Sequence, residues 1–504
     1  MLKKIYLCFL PFIAIFLLVS CKKDLGNYDY NEINAVKEFI GIQDVTAIYG
    51  KRFIMKPEVS FTQDNGTDTS KYSYEWAYYT SFGSSDAVFV LANTRYLDVN
   101  MSLVTGTYYF YYGVTDKATG VKYRKAFKMR VENEINEGWF LMCDVNGSAR
   151  LDMLAKTTTG FNVINDLLTT TGSGLVLSGS PKMVYNYEMG VSTGPGLNAG
   201  YAIYVGTNQG TERIDPDNFK WKSNYTLKNE IYGPVASNFY ADVVQRSGST
   251  RSYMIGGGDA YLYDRVNQIR YSAPLNIING ELKAFNIAPF IATNEVETIA
   301  IPAIFYDTDN KRFVKHIGSA GSCTVIPDPA AGKLFSFSTG LDLVYMTYVT
   351  FNGGEVFSVL KDPQSGKKYL ARFNGTNNAQ SYYGEITGAD IDKAENFAVS
   401  PDFGYLFYSA AGKVYEFDMS LKTTKLMLDK GADRVSLLKF QTFINTTKYP
   451  DGNKLIVCSY NPTQEEGKNG KMEIFEVPSI NGDIVLANTY SGFGKVKSLV
   501  YRTR

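Results

Sequence analysis

Tyr405-Leu406-Phe407-Tyr408-Ser409-Ala410-Ala411-Gly412-Lys413-Val414-Tyr415-Glu416-Phe417 reads as a β-hairpin. Aromatic and β-branched residues, which suit a pleated surface, fill two runs of period two, and Ala411-Gly412 turns the chain between them. The same plan recurs from Glu137-Gly138-Trp139 to Arg504: an apolar strand, a tight Gly- or Asn-containing turn, then a strand of alternating aromatics. Residues 140–147 lead into 149–154, 201–210 into 211–214, and 253–259 into 260–263. Further copies lie at 313–326, 356–373, 405–417 and 454–477. The spacing averages roughly 50 residues, at the kelch-like end of propeller periods. The fold predicted for 137–504 is therefore a seven-bladed β-propeller of four-stranded blades, with 494–501 closing the ring on the first blade. Two stacked β-sandwiches are the competing architecture.

Upstream, residues 40–133 read as one small Ig-like β-sandwich. Tyr72-Ser73-Tyr74-Glu75-Trp76 alternates as a strand, and Trp76 stands where an immunoglobulin-like domain buries a tryptophan. Tyr108, Phe110, Tyr112 and Val114 share one face by period two. Tyr108 is placed as a tyrosine-corner residue. No cysteine pair flanks Trp76 and the Gly-Asp-Gly turn of PKD modules is missing, so a spacer role is expected of this domain.

The chain of 504 residues is 45% hydrophobic and 20% charged, the composition of a folded body, and carries 38 Tyr and 31 Phe against 3 Trp. Net charge is +1, falling to −1 if Lys3 and Lys4 are removed with a signal. Such a balance provides no electrostatic footprint for nucleic acid. Cys143, Cys323 and Cys458 are scattered and read as buried thiols rather than a disulfide framework.

The sequence carries no clear catalytic pattern. The single histidine, His316, sits in an ordinary strand, and Gly318-Ser319-Ala320-Gly321-Ser322-Cys323 is no nucleophile elbow. One histidine and three scattered cysteines do not make a zinc set. Asp307-Thr308-Asp309-Asn310 lacks the glycine and distal glutamate of a calcium loop and reads as a hairpin turn. Residues 194–200 are a glycine-rich loop ahead of a strand, not a dinucleotide fingerprint. Ser436-Leu437-Leu438-Lys439 matches Ser-x-x-Lys without its companion motifs. No metal or cofactor is expected, no catalytic residue is assigned, and a pair of glycosidase carboxylates remains open.

The N-terminus supplies an address. Lys3 and Lys4 precede an apolar run at 5–19, too short and proline-interrupted for a membrane span of roughly 20 residues, and Leu18-Val19-Ser20-Cys21 follows. That ending resembles a bacterial lipobox, which implies a signal peptide at 1–20 and lipidation of Cys21. Residues 21–39 read as the lipidated start and tether. Lys22-Lys23-Asp24 resembles the export signal of surface lipoproteins of Bacteroidota type. Asp24-Leu25-Gly26-Asn27-Tyr28-Asp29-Tyr30 resembles the start of the PKD-like lipoprotein family. The resemblance implies an outer-membrane protein facing the cell exterior, serving a SusC/SusD-type TonB-dependent importer as a non-enzymatic accessory subunit. It would bind or present oligopeptides or glycans. A propeller-type surface glycoside hydrolase or lyase and a purely structural scaffold are the alternatives. Trp221, in an inter-strand loop, and Tyr382 and Tyr383 are the candidate ligand-contacting aromatics.

Overall fold

The computed structural model describes residues 33–79, 88–157, 159–188, 201–296, 300–450 and 452–503, so Cys21 and the charged residues after it lie outside the described chain. The chain divides into two units, one ending at Glu132 and one beginning at Asn133. Among the described residues, no helix is long and apolar enough to cross a membrane.

The first unit is a β-sandwich. One sheet runs Val45–Ile48, Lys122–Glu132, Gly106–Asp116, Tyr72–Tyr79, Phe89–Ala92. Against it stand two short pairs, Val36–Ile40 with Glu58–Phe61 and Arg52–Met55 with Leu97–Asn100. Trp76 is fully buried, its ring 4.4 Å from Tyr112 and edge-on to Phe127, and its indole N–H donates to the Thr94 carbonyl at 2.9 Å. Tyr108, Phe110, Tyr112 and Val114 all enter the core. The Tyr108 hydroxyl donates to the Val104 carbonyl at 2.8 Å, four residues upstream, which is the tyrosine-corner bond.

The second unit is a ring of seven sheets. Blade 1 pairs Gly138–Val145, Ser148–Thr157 and Gly160–Ile164 with the last strand of the chain, Lys495–Arg502. That strand lies antiparallel to Gly138–Val145, from Gly138 opposite Arg502 to Asp144 opposite Lys495, and closes the ring. Blades 5, 6 and 7 are regular four-stranded meanders beginning at Asp342–Val349, Asn396–Val399 and Arg434–Phe440. Blades 2 and 3 have three strands each, starting at Pro181–Glu188 and Val243–Ser247. Blade 4 has Ala303–Asp307, Arg312–His316 and Thr324–Val325, and its inner segment joins only through isolated bridges, Ala292 to Ile304 and Ile287 to Asp307.

Packing proves the ring. Each blade's second strand is buried on both faces, so consecutive residues enter different cores. In Gly138–Val145, Trp139, Leu141 and Cys143 pack with Ile456 and Cys458 of blade 7, whereas Phe140 and Met142 pack with Ile203 and Val205 of blade 2. Leu406 and Tyr408 of blade 6 face Phe357 and Val359 of blade 5, while Phe407 faces Leu455 and Val457 of blade 7. Seven such clusters occupy seven blade interfaces, and stacked sandwiches would not produce that cycle. This corrects the hairpin reading in one respect: Leu406–Ala410 is buried at every position, because its polar-facing side has a neighbour too. A second adjustment concerns blade 4, where 313–326 forms the third and fourth strands and the turn at Asp307 precedes the third.

The seam is reinforced by buried polar bonds. Asp152, with no exposed surface, accepts from Arg150 at 2.7 and 2.6 Å, from the Asp166 amide at 3.0 Å and from the Gly494 amide at 3.3 Å. Gly138 must be glycine, because its φ is 140° and a Cβ would meet the Leu154 carbonyl oxygen at 2.2 Å.

Candidate functional site

The innermost strands leave an axial channel. Three cavities of about 290, 230 and 230 Å³ lie along it, and Glu295 and Lys439 line all three, marking its waist. Gln245, Thr293, Tyr345, Thr347 and Gln441 wall the largest; Tyr185, Arg246, Tyr449 and Tyr501 wall the second; Lys182, Asp242, Lys497 and Ser498 wall the third.

Glu295 belongs to the irregular inner segment of blade 4. Asn294 Oδ1 accepts the Val296 amide at 3.1 Å, a tight Asx turn, and the Asn294 carbonyl accepts the Gly248 amide at 2.8 Å. The Thr293 and Ser247 hydroxyls meet at 2.6 Å. These bonds hold the backbone on either side of Glu295 against blade 3. Arg246 is fixed by its Nε, which donates to the Gly248 carbonyl at 2.7 Å, and by its amide, which donates to the Tyr185 hydroxyl at 2.9 Å. Lys439 stands on the inner strand of blade 7, its Nζ donating to the Leu499 carbonyl at 2.8 Å. An ammonium has three donors, so two remain for other partners.

Burial raises the Glu295 carboxyl above its ordinary value, and Lys439 and Arg246 pull it back only in part. Burial likewise lowers the Lys439 ammonium, with Glu295 opposing. Among the described residues, no ion pair within 4.0 Å joins Glu295 to either cation. The channel thus holds opposite charges close enough to feel each other and too far apart to touch. Carboxylates are sparse: Glu295 is the one acidic residue described on the walls of the first two cavities. Asp242 joins it in the third, beside Lys182 at 3.8 Å.

The aromatics singled out from the sequence lie elsewhere and apart. Trp221 is half-buried against the core between blades 1 and 2, its indole N–H donating to Glu212 at 2.9 Å, so it is not the open ring expected of a loop. Tyr382 and Tyr383 stand on the outermost strand of blade 5 and point to opposite interfaces. Tyr382 packs toward blade 6, and Tyr383 stacks on Phe335 and Tyr369 at 5.4 and 5.6 Å. Neither residue is among those lining the three cavities.

Of the remaining motifs, the glycine-rich stretch at 194–200 lies outside the described residues and the others have structural roles. His316 is fully buried, with Nδ1 2.9 Å from the Tyr253 hydroxyl and Nε2 2.7 Å from the Ala320 carbonyl; that acceptor fixes the Nε2–H tautomer. Burial lowers its pKa, and both nitrogens are engaged. Asp307 accepts the amides of Asp309 and Asn310 at 3.0 Å and Arg312 Nε at 2.8 Å, a hairpin turn as read. Ser436 Oγ contacts the Cys458 carbonyl at 3.4 Å, away from the channel Lys439 lines. Cys143, Cys323 and Cys458 are buried free thiols. Among the described residues there is no cluster of His, Cys, Asp or Glu that could hold a metal.

Residues 21–181 match the PKD-like family, a span that includes the whole sandwich and the first strands of the ring. No curated protein matches the chain. Among solved structures, a quinoprotein alcohol dehydrogenase-like protein from Bacteroides thetaiotaomicron is 10% identical, over 91% of this chain and 96% of its own, with a TM-score of 0.40. The β-propeller domain of Cps50 (Swd1) from Myceliophteria thermophila is 11% identical, over 63% and 88%, with a TM-score of 0.37. These superpositions are loose, and the architecture rests on the chain's own strand pairing. The protein is all-β: a PKD-like N-terminal domain followed by a seven-bladed β-propeller.

Proposed function

We propose that the protein is a lipid-anchored outer-membrane protein, held through Cys21 and facing the cell exterior. In this reading it is a non-enzymatic accessory subunit of a SusC/SusD-type importer, binding or presenting oligopeptides or glycans. The observation that carries the binding role is the channel. Separated charges, hydroxyls and aromatic walls converge on one channel, as in ligand sites. Hydrolysis of a glycoside needs two carboxylates about 5–9 Å apart; the first two cavities each offer Glu295 alone, and the second carboxylate of the third, Asp242, has Lys182 beside it at 3.8 Å. The anchoring role is supported by the lipobox-like Leu18-Val19-Ser20-Cys21; stable attachment takes more than one acyl signal, which a multiply acylated cysteine provides.

The test is co-purification of the affinity-tagged chain from gently solubilised membranes, where a TonB-dependent barrel and its lipoprotein partner are expected. Recovery of the chain alone would count against the importer. Cys21→Ala is expected to leave the propeller folded, release it from the membrane and lower uptake. Uptake equal to the parent's would overturn the reading.

A further inference from the structure

The channel waist offers a finer assignment, which rests on the propeller being a ligand-binding body. Glu295 and Lys439 line the same three cavities, and Arg246 shares one of them. Each group occupies the cavity wall on a fixed backbone, yet no ion pair within 4.0 Å joins the carboxylate to either cation. Held-apart opposite charges in a confined space are poorly matched to a neutral sugar, which would strip solvent from them and return no charge. A purely anionic ligand would face Glu295, and a purely cationic one would face Lys439 and Arg246. A molecule carrying both charges satisfies all three at once through charge-assisted hydrogen bonds. The largest of the three channel cavities, about 290 Å³, stands at the small end of ligand sites, which run roughly 300–1,000 Å³. That size suits one or two residues rather than a long oligomer.

We infer that the channel waist binds a small zwitterion, a free α-amino acid or a dipeptide with both termini unblocked. Its carboxylate lies on Lys439 and Arg246 and its ammonium on Glu295. The hydroxyl and amide groups of Thr293, Thr347, Gln245 and Gln441 surround the remainder.

The experiment is calorimetric titration of the full chain with each of the twenty free L-amino acids, with L-alanyl-L-alanine, with the N-acetylated and C-amidated forms of that dipeptide, and with maltose. Binding of at least one unblocked zwitterion is expected, with each blocked dipeptide at least ten-fold weaker than the free one. Glu295→Gln is expected to erase the penalty for N-acetylation, and Lys439→Met to shrink the penalty for amidation, with Arg246 keeping the rest, each variant melting as cooperatively as the parent. If either variant fails to fold, the parent's own preference for free over blocked ends decides. Equal binding of free and blocked dipeptide, binding of maltose alone, or no binding of any zwitterion would overturn the assignment. A chain that co-purifies with an importer yet binds no zwitterion sinks this inference and leaves the importer reading standing. Zwitterion binding without an importer does the reverse.

Discussion

Blades 5 to 7 and blades 2 to 4 face each other around one ring and are built differently. The first arc is the more regular, each blade a four-stranded antiparallel meander with a bulge in some of its pairings. The second has three-stranded sheets joined by long irregular connections, and blade 4 holds its inner segment by single bridges. The channel draws on both: Tyr345, Thr347, Lys439 and Gln441 come from the regular arc, and Gln245, Arg246, Thr293 and Glu295 from the irregular one. A ladder fixes a side chain by register alone. An irregular segment needs its own polar bonds, and around Glu295 it has them in Thr293 and Asn294. The lesson is that the two charges of the site come from different arcs: Lys439 from a laddered strand, and Glu295 from the side where backbone geometry is least constrained by neighbouring strands.

The comparison breaks most completely if the ring is opened. Deleting 495–502 removes the inner strand of blade 1 and the buried Val496, Leu499, Val500 and Tyr501. Loss of the cooperative melting transition of both arcs is expected by circular dichroism. Survival of one arc would show that they fold independently. Next in size, Phe407→Ala leaves a cavity between two ladders that cannot collapse, and is expected to cost about 3–5 kcal/mol in denaturant titration. Phe285→Ala, also buried but on an irregular connection, is expected to cost less, toward the lower end of that range, because the segment can relax into the space.

Glu416 sharpens the contrast through pH. It lies inside the regular arc, 2% exposed, and neither of its carboxylate oxygens meets a donor among the described residues. Burial first, opposed by Lys425 and reinforced by Asp418, raises its pKa from 4.5 to about 7. Folding then favours the protonated form. The destabilisation is absent below the unfolded value near 4.5, grows as pH rises, and is complete above about 7. Glu416→Gln is expected to raise stability at pH 8 by up to about 3 kcal/mol and to change little at pH 4. Equal effects at both values, in urea titrations, would refute the assignment. The smallest effects belong to the turns. Asp362 in the regular arc caps the Gln364 amide at 2.8 Å, and Asp215 in the irregular arc caps the Asp217 amide at 2.9 Å. Alanine at either is expected to lower the urea midpoint slightly, with no difference between arcs, since the turn is local.

The same division governs what the sequence reveals. Hairpins such as 405–417 announce themselves because strand, turn and strand are local, and Asn146-Gly147 and Gly257-Gly258 supply the positive φ that two-residue turns demand. Trp76, Tyr108 and the closing strand were legible for the same reason: aromatic spacing and a β-run at the end of the chain. The channel was not. Lys439 stands out in the sequence as the end of Ser-x-x-Lys, a motif the structure gives no meaning, because Ser436 bonds to the Cys458 carbonyl. Glu295 follows a stretch with no period, and nothing local says that it faces the axis. One available signal was a charge inside an otherwise apolar inner strand, as in Leu437-Leu438-Lys439-Phe440. Trp221, Tyr382 and Tyr383 drew attention as aromatics, but in a ring whose sheets pack on both faces most aromatics are mortar.

Closure by the last strand also sets a timetable. The Tyr501 hydroxyl meets Glu137 at 2.7 Å across 364 residues of chain, and contacts of such sequence separation form slowly. The sandwich holds all its strands once Glu132 has been made. Blade 1, begun first, is finished last, and until then the edge of Gly138–Val145 offers unpaired amides to any passing strand. A chaperone that acts on this protein would find its business there, at the oldest strand of the ring waiting for the youngest.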